Sequence, residues 1–323
     1  MPLSLAAASG GVLDQILRDT WPVWGDGLSF DAFVRYDTGL RRTGWGQTHR
    51  ERMVLLDGQR ALASAKRYDL SARIDGRIRR VLGIGAVFTP RELRGRGAAS
   101  ALVAHLVDAA NTDGYEYVLL FSAIGPAFYE RLEFVPIPLE HATLAVHQKG
   151  GGAPAMLVRA GDDRDLAHIA DLGLARSAGT RFALDRNEEY IKYALARRRL
   201  LAGLGPPGLR QTEFLVAEEG HMAVAYLVCT VSRGGWTIEE AGDRDPSGAR
   251  LGAMLQVMLA REPSLTPPRI DAWWPHALHP PQLEVTSRRP TDEVMMIRPL
   301  RDRTLPMPPL NAADVLWWRG DVF

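Results

Sequence analysis

Residues 81–114 read VLGIGAVFTPRELRGRGAASALVAHLVDAANTDG, and this stretch restricts the fold more than any other in the chain. Its second half carries apolar residues at Leu102, Val103, Leu106, Val107 and Ala110. That spacing of three and four predicts a helix over 98–112, stopped by Gly114. The first half is apolar and β-rich, so a strand leads through a turn into a helix. At the turn, two arginines alternate with two glycines: Arg94, Gly95, Arg96, Gly97. A helix N-terminus offers unpaired N–H groups and a partial positive charge. Glycines let the backbone approach a ligand closely. Each guanidinium can add a charge-assisted hydrogen bond of about 1.5–3 kcal/mol. The turn therefore fits a phosphate-bearing anion; taken alone, it equally fits a solvated turn with two surface arginines. Other phosphate motifs fit worse. No Walker lysine follows a glycine pair, and GIGAVF at 83–88 lies inside the strand and lacks a third glycine.

The flanking segments predict a mixed α/β arrangement. LDQILRDTW and SFDAFVRYDTGL read as helices around a PVWGDG turn. ERMVLLDG and ALASAKRYDLSARI read as a hairpin turning at Asp57-Gly58. After the 98–112 helix come a strand (YEYVLLFS), a short helix opened by Pro126 (GPAFYERL) and a Pro-punctuated strand (EFVPIPL). HQKGGGAPAM reads as a linker. The expected division is residues 1–148, a linker at 149–155, a second domain at 156–300 and a tail at 301–323.

The 323 residues, 46% of them hydrophobic, suffice for two domains. With 39 basic and 38 acidic side chains, the net charge of +1 does not support a nucleic-acid coat or a polybasic membrane surface. The single cysteine, Cys229, lies in the apolar run MAVAYLVCTV and reads as a buried small hydrophobe in a reducing compartment. One cysteine excludes a disulfide framework. No run approaches the roughly 18 apolar residues of a membrane span, and the first residues lack the basic region of a signal peptide. A soluble cytoplasmic protein is expected, with neither nucleic acid nor membrane as partner.

Around the loop, the chain resembles the GNAT acetyltransferase superfamily over roughly residues 10–145. That family's acetyl-CoA signature is Gln or Arg, two residues, Gly, one residue, then Gly or Ala, and Arg94 to Ala99 satisfies it. LLFSAIGPAFYERLEFVPI resembles the family's second CoA-side segment, with Glu133 where a glycine is usual. The resemblance implies acetyl-CoA as co-substrate and no metal. Val87, Phe88 and Thr89 would pair with the pantetheine arm, and Arg94, Gly95, Arg96, Gly97, Ala98, Ala99 and Ser100 would hold the diphosphate. Tyr129 matches the tyrosine that protonates the leaving thiolate. The strand before the loop carries no acid to serve as base. Some Eis-type tandem members end in an aromatic residue whose terminal carboxylate is the base, and this sequence ends WWRGDVF, so Phe323 is the candidate. Asp321 and Asp26 are weaker ones. Some similarity to fungal-type lysine acetyltransferases is weakened by Ala123, where those carry an acid.

Trp21, Trp24 and Asp26 fall where this family builds its acceptor wall. Residues 156–300 repeat the family's opening, but aligning Gly252 with Gly97 puts Ala249 in the place of Arg94. The expected fold is thus α/β with mixed sheets: two GNAT-like domains in tandem, the second degenerate, and a short C-terminal tail. His276 and His279, beside prolines, make a poor metal pair. The implied function is acetyl transfer to the primary amine of a small molecule by direct attack in a ternary complex. The alternatives are a peptide or protein amine as acceptor, or a non-catalytic acyl-CoA sensor. The oligomeric state is open.

Overall fold

The computed structural model describes residues 3–147, 156–262, 266–300 and 303–323. The expected linker, 149–155, lies outside the described residues. The chain runs β1 (Ser4–Ala7), α1 (Gly10–Trp24), α2 (Phe30–Arg41), α3 (Gly44–His49), β2 (Arg50–Asp57), β3 (Arg60–Ile74), β4 (Arg77–Phe88), α4 (Ala98–Thr112), β5 (Tyr117–Ser122), α5 (Ala127–Glu130) and β6 (Val135–Ile137). It continues through β7 (Glu140–Val146), β8 (Leu157–Ala160), α6 (Leu166–Ser177), β9 (Phe182–Leu184), α7 (Glu188–Gly203), β10 (Arg210–Glu219), β11 (Met222–Ser232) and β12 (Gly235–Asp243). Last come α8 (Ala249–Arg261), β13 (Ile270–Ala272), β14 (Leu283–Pro290), β15 (Val294–Pro299) and β16 (Val315–Leu316).

α4 occupies the span its spacing predicts, with Leu102, Val103, Leu106, Val107 and Ala110 all buried. α1 runs through Pro22, so the following turn starts only at Gly25, whose N–H bonds back to the Trp21 carbonyl at 2.7 Å. α3 carries too short an apolar pattern to be read from sequence. The Thr43 hydroxyl starts it, accepting from the Gly46 N–H at 3.0 Å.

Two compact units form: Met1–Ile137 with Asp292–Pro309 and Phe323, and Pro138–Thr291 with Leu310–Val322. The first holds a sheet in the order β1-β2-β3-β4-β5-β15-β6. β2, β3 and β4 form an antiparallel meander, and β4 and β5 are parallel across α4. Leu102, Val103 and Leu106 of α4 pack on Leu55, Leu82, Ile84, Val118 and Leu120. Each such buried side chain contributes about 1.5–3 kcal/mol of transfer free energy, which holds the turn before α4 against the end of β4.

The second unit holds the order β14-β7-β13-β12-β11-β10-β8, with Trp236, Ile238, Leu251, Met254, Trp274 and Trp318 in its core. Cys229 is fully buried there, as expected, and burial pushes its thiol up. Within this unit β16 lies parallel to β9. Two arginines of α7 grip the segment after it. Arg197 donates to the carbonyls of Val322 and Gly320, and Arg198 donates to that of Arg319 at 3.1 Å.

The units do not follow a single cut through the glycine-rich segment. β7 precedes that segment, yet it pairs with β13 and β14. β15 lies far beyond it, yet it inserts between β5 and β6.

Candidate active site

The site in the first unit is built on β4. β4 and β5 pair only from Val81 with Tyr117 to Ile84 with Leu120, although β4 runs on to Phe88 and β5 to Ser122. Beyond Ile84 the parallel strands separate. On its other side, β4 pairs Gly85 with Lys66 and then Phe88 with Ser64, so three residues of β4 oppose two of β3. The extra residue is a β-bulge, and Ala86 takes a left-handed φ of +49° within it. Such a conformation costs a non-glycine residue about 1–2 kcal/mol, and bulges re-aim the backbone. The β5-facing edge of Val87 and Phe88 is thus left without a ladder partner, in the form that accepts an extended ligand as an added strand.

The strand leads into the anion-suited loop. A 3₁₀ turn, Arg91–Leu93, buries Leu93 as its anchor. Gly95 and Gly97 then take left-handed φ of +74° and +82°. A Cβ on either would meet nothing within 4 Å, so the space over the loop is open. Gly97 is the N-cap of α4 and no side chain caps that helix. Successive N–H groups in such a turn form an anion-binding concavity that the helix dipole reinforces. Arg94 and Arg96 are exposed beside it, and the Arg94 Nε donates to the Thr89 carbonyl at 3.1 Å, which ties loop to strand.

Tyr129 stands on α5, directly after β5. It is 7% exposed and packed edge-on by Phe128 and Phe134, with ring centroids at 4.8 and 5.9 Å. Burial pushes its phenol up to about 12, so the hydroxyl stays protonated and can donate. Glu133, where a glycine was the expectation, takes the left-handed φ of +65° that glycine favours. The left-handed turn is made here without a glycine, and Arg298 pairs with Glu133 at 2.6 Å.

Phe323 lies on β4. Its ring sits 5.0 Å from that of Tyr68 and 5.4 Å from that of Phe121. A Cβ on Gly83 would fall 2.9 Å from the ring, and one on Gly85 would fall 2.8 Å from the backbone oxygen of Phe323. The glycines of GIGAVF are there because a residue from the far end of the chain lies on them. The backbone carbonyl of Phe323 rests at Gly85, immediately before the bulge. Asp321, by contrast, belongs to the second unit. It is 1% exposed and 3.3 Å from the Arg186 Nε, and burial pushes it up to about 6.

Of the residues expected at an acceptor wall, Trp24 packs on Phe88 with centroids 6.1 Å apart. Trp21 donates from Nε1 to the Leu28 carbonyl at 2.7 Å and braces the turn after α1, where Asp26 is exposed with φ of +50°. A cavity of about 530 Å³ adjoins the end of β4 and is lined by Gln15 and Asp19 of α1 with Ser64, Phe88 and Arg91.

The second unit repeats the strand, turn and helix, but one helical turn earlier than the sequence alignment places it. The N-cap of α8 is Gly248, with φ of +77°, so Asp245 stands where Arg94 does in the first unit. Gly252 is instead a packing position against Gln282. The Asp243 carboxylate accepts from the N–H groups of Leu251 at 3.0 Å and Asp245 at 2.9 Å, and Asp245 accepts from Ser247 at 2.9 Å. This helix start is satisfied by carboxylates of the chain itself. Among the described residues no His, Cys, Asp and Glu cluster fits a metal, and His276 bonds Glu140 at 2.8 Å. No described helix is long and apolar enough to cross a membrane.

Residues 31–137 match a family model described as the acetyltransferase (GNAT) domain. Among solved structures, the chain is similar to a GCN5-related N-acetyltransferase from Kribbella flavida (18% identity, 92% of this chain and 71% of that chain, TM-score 0.68). It is also similar to Eis1 from Mycobacterium abscessus (13% identity, 92% and 73%, TM-score 0.56). A third is a tandem GNAT protein from the clavulanic acid biosynthesis pathway (14% identity, 94% and 100%, TM-score 0.52). At these identities the likeness is one of fold: mixed α/β, in a tandem GNAT-like architecture. No curated protein matches the sequence.

Proposed function

We propose, from a chain whose residues 31–137 form a GNAT acetyltransferase domain, that the acetyl group of acetyl-CoA passes to the primary amine of a small molecule in a ternary complex. The observation that carries this reading is the sequence of features at one end of β4: the ladder stops at Ile84, the bulge follows at Ala86, and the glycine turn follows at Gly95 and Gly97. Val87, Phe88 and Thr89 take the pantetheine arm. Arg94 to Ser100 take the diphosphate. Trp21, Trp24 and Asp26 wall the acceptor.

The chemistry needs a base, an oxyanion donor and an acid. The carboxylate of Phe323, held at Gly85, takes a proton from the acceptor ammonium. The free amine attacks the thioester carbonyl, and backbone N–H groups at the bulge meet the developing oxyanion. Collapse breaks the carbon–sulfur bond, Tyr129 gives its proton to the departing thiolate, and the surplus proton on the newly acylated nitrogen returns through solvent to the Tyr129 phenolate. The products are the N-acetylated amine and CoA. The second unit, whose α8 start is filled by Asp243 and Asp245, takes no nucleotide in this reading.

Calorimetric titration of acetyl-CoA tests the cofactor site. One-site binding is expected, weakened about tenfold or more in Arg94→Ala, the loss of one charge-assisted hydrogen bond. No binding to the folded protein would refute the reading. Adding two residues after Phe323 tests the base: unchanged turnover in the extended protein would exclude its carboxylate.

A further inference from the structure

β1 pairs with β2 from Met53 to Leu56 and the Ala8 N–H donates to the Arg52 carbonyl at 2.8 Å, so only the start of β2 runs on past β1 at this edge of the sheet. A pocket of about 570 Å³ lies along that edge, bordered by the end of α2, by α3 and by β3. Four arginines line it: Arg41, Arg50, Arg52 and Arg67. Two of them are buried, with side chains of Arg50 and Arg52 only 2% and 3% exposed. Both donate to one oxygen of Asp37, itself 3% exposed, Arg52 at 3.0 Å.

One carboxylate thus faces two buried guanidiniums. Burial pushes the Asp37 carboxyl up, but Arg50, Arg52 and Lys66 together hold it well below the ordinary carboxylate range, so it is fully ionised. The Arg52 Nε and Nη1 are buried and find no acceptor among the described residues. Leaving buried donors of a charged group unpaired costs several kcal/mol. The pocket's own acids do not cancel this. Asp69 lies 3.7 Å from Arg80, and Glu51, exposed on the pocket's rim, favours the charged form of Arg67. Arg41 makes no ion pair among the described residues, and Arg67 leans toward Asp113 at 3.6 Å and the Tyr115 hydroxyl at 3.3 Å.

We infer that this pocket is a binding site for a small doubly charged oxyanion, a phosphate or a short dicarboxylate, separate from the cofactor loop on α4. Planar guanidinium forks match carboxylate and phosphate oxygens in pairs. A dianion between Arg41 and Arg67 would add acceptors beside the unsatisfied Arg52. Removing Arg52 would leave the Asp37 cluster half-dismantled, so the test changes the two arginines outside it, Arg41→Gln with Arg67→Gln. Inorganic phosphate and malonate are each titrated by calorimetry into the full chain, with thermal unfolding as a second readout. The expected result is saturable one-site binding by at least one of them, weakened tenfold or more in the double variant and unchanged in Arg94→Ala. Comparison of the two probes tells a phosphate from a dicarboxylate site. No saturable binding to the wild type, equal binding in the double variant, or loss of binding in Arg94→Ala would each overturn the inference. The last result would assign the ion to the cofactor loop, and acetyl-CoA binding is scored separately.

Discussion

Gly85→Ala isolates the placement of the Phe323 carboxylate. The new methyl would fall 2.8 Å from the carboxyl oxygen and 2.9 Å from the carboxyl carbon of Phe323. Comfortable contact needs about 3.5–4.0 Å, so the carboxyl group has to retreat by roughly 0.6–1.2 Å. Misplacing a reacting group by about 1 Å costs on the order of 10²-fold. The expected result is a fall in kcat of about 10², with acetyl-CoA affinity within about threefold, because the loop at Gly95 and Gly97 is untouched. Gly83→Ala is the control. Its methyl meets the far ends of Leu70 and of the Phe323 ring, each at 2.9 Å. Those ends can turn aside, so the loss there is expected to stay below about tenfold. The assay follows free CoA thiol with the best acceptor from an amine panel. Wild-type kcat in Gly85→Ala, or a larger loss in Gly83→Ala, would refute the reasoning.

Tyr129→Phe is expected to lower kcat by about 10² or more while calorimetric acetyl-CoA binding survives; full activity would remove the hydroxyl from the mechanism. Because burial raises this phenol to about 12, its protonated form persists across the window above the ordinary value near 10. The kcat profile should therefore show no falling limb near pH 10, and a fall centred there would contradict the proposed acid. Asp243→Asn keeps one acceptor but gives up the charge at the start of α8, so thermal unfolding should show a loss of about 1–3 kcal/mol, with acetyl-CoA stoichiometry still one per chain. Undiminished stability would mean that the internal carboxylate does little for that helix.

The part of the site made by local pattern was legible in the sequence. α4 follows from its apolar spacing, and the turn before it follows from glycines that must take positive φ. What depended on distant contacts was not. Ala86 is an ordinary residue in a left-handed conformation imposed by the register of β3 and β4, so no glycine marks the bulge. Gly83 and Gly85 looked like a broken nucleotide motif because their cause, Phe323, stands at the far end of the chain. Glu133 hid a glycine-type turn for the same reason: the fold, not the residue, enforces its φ. In the second unit, Gly252 was the visible anchor for alignment, but the helix cap is Gly248. β7 and β15 went unread as strands, and even where a strand is legible, alternation gives it its faces but not its neighbours.

The placement of β15 also sets an order of events during synthesis. β5 and β6 emerge early, but the strand that joins them is made about 160 residues later. At translation speeds of roughly 5–20 residues per second, the first sheet waits on the order of 10–30 s with β5 and β6 unjoined, and open strand edges invite pairing with other chains. For the same reason a gene cut at the glycine-rich segment does not yield two self-sufficient pieces. Each fragment would carry one strand belonging to the other and lack one of its own, so recovery of folded protein should require both fragments to be made together.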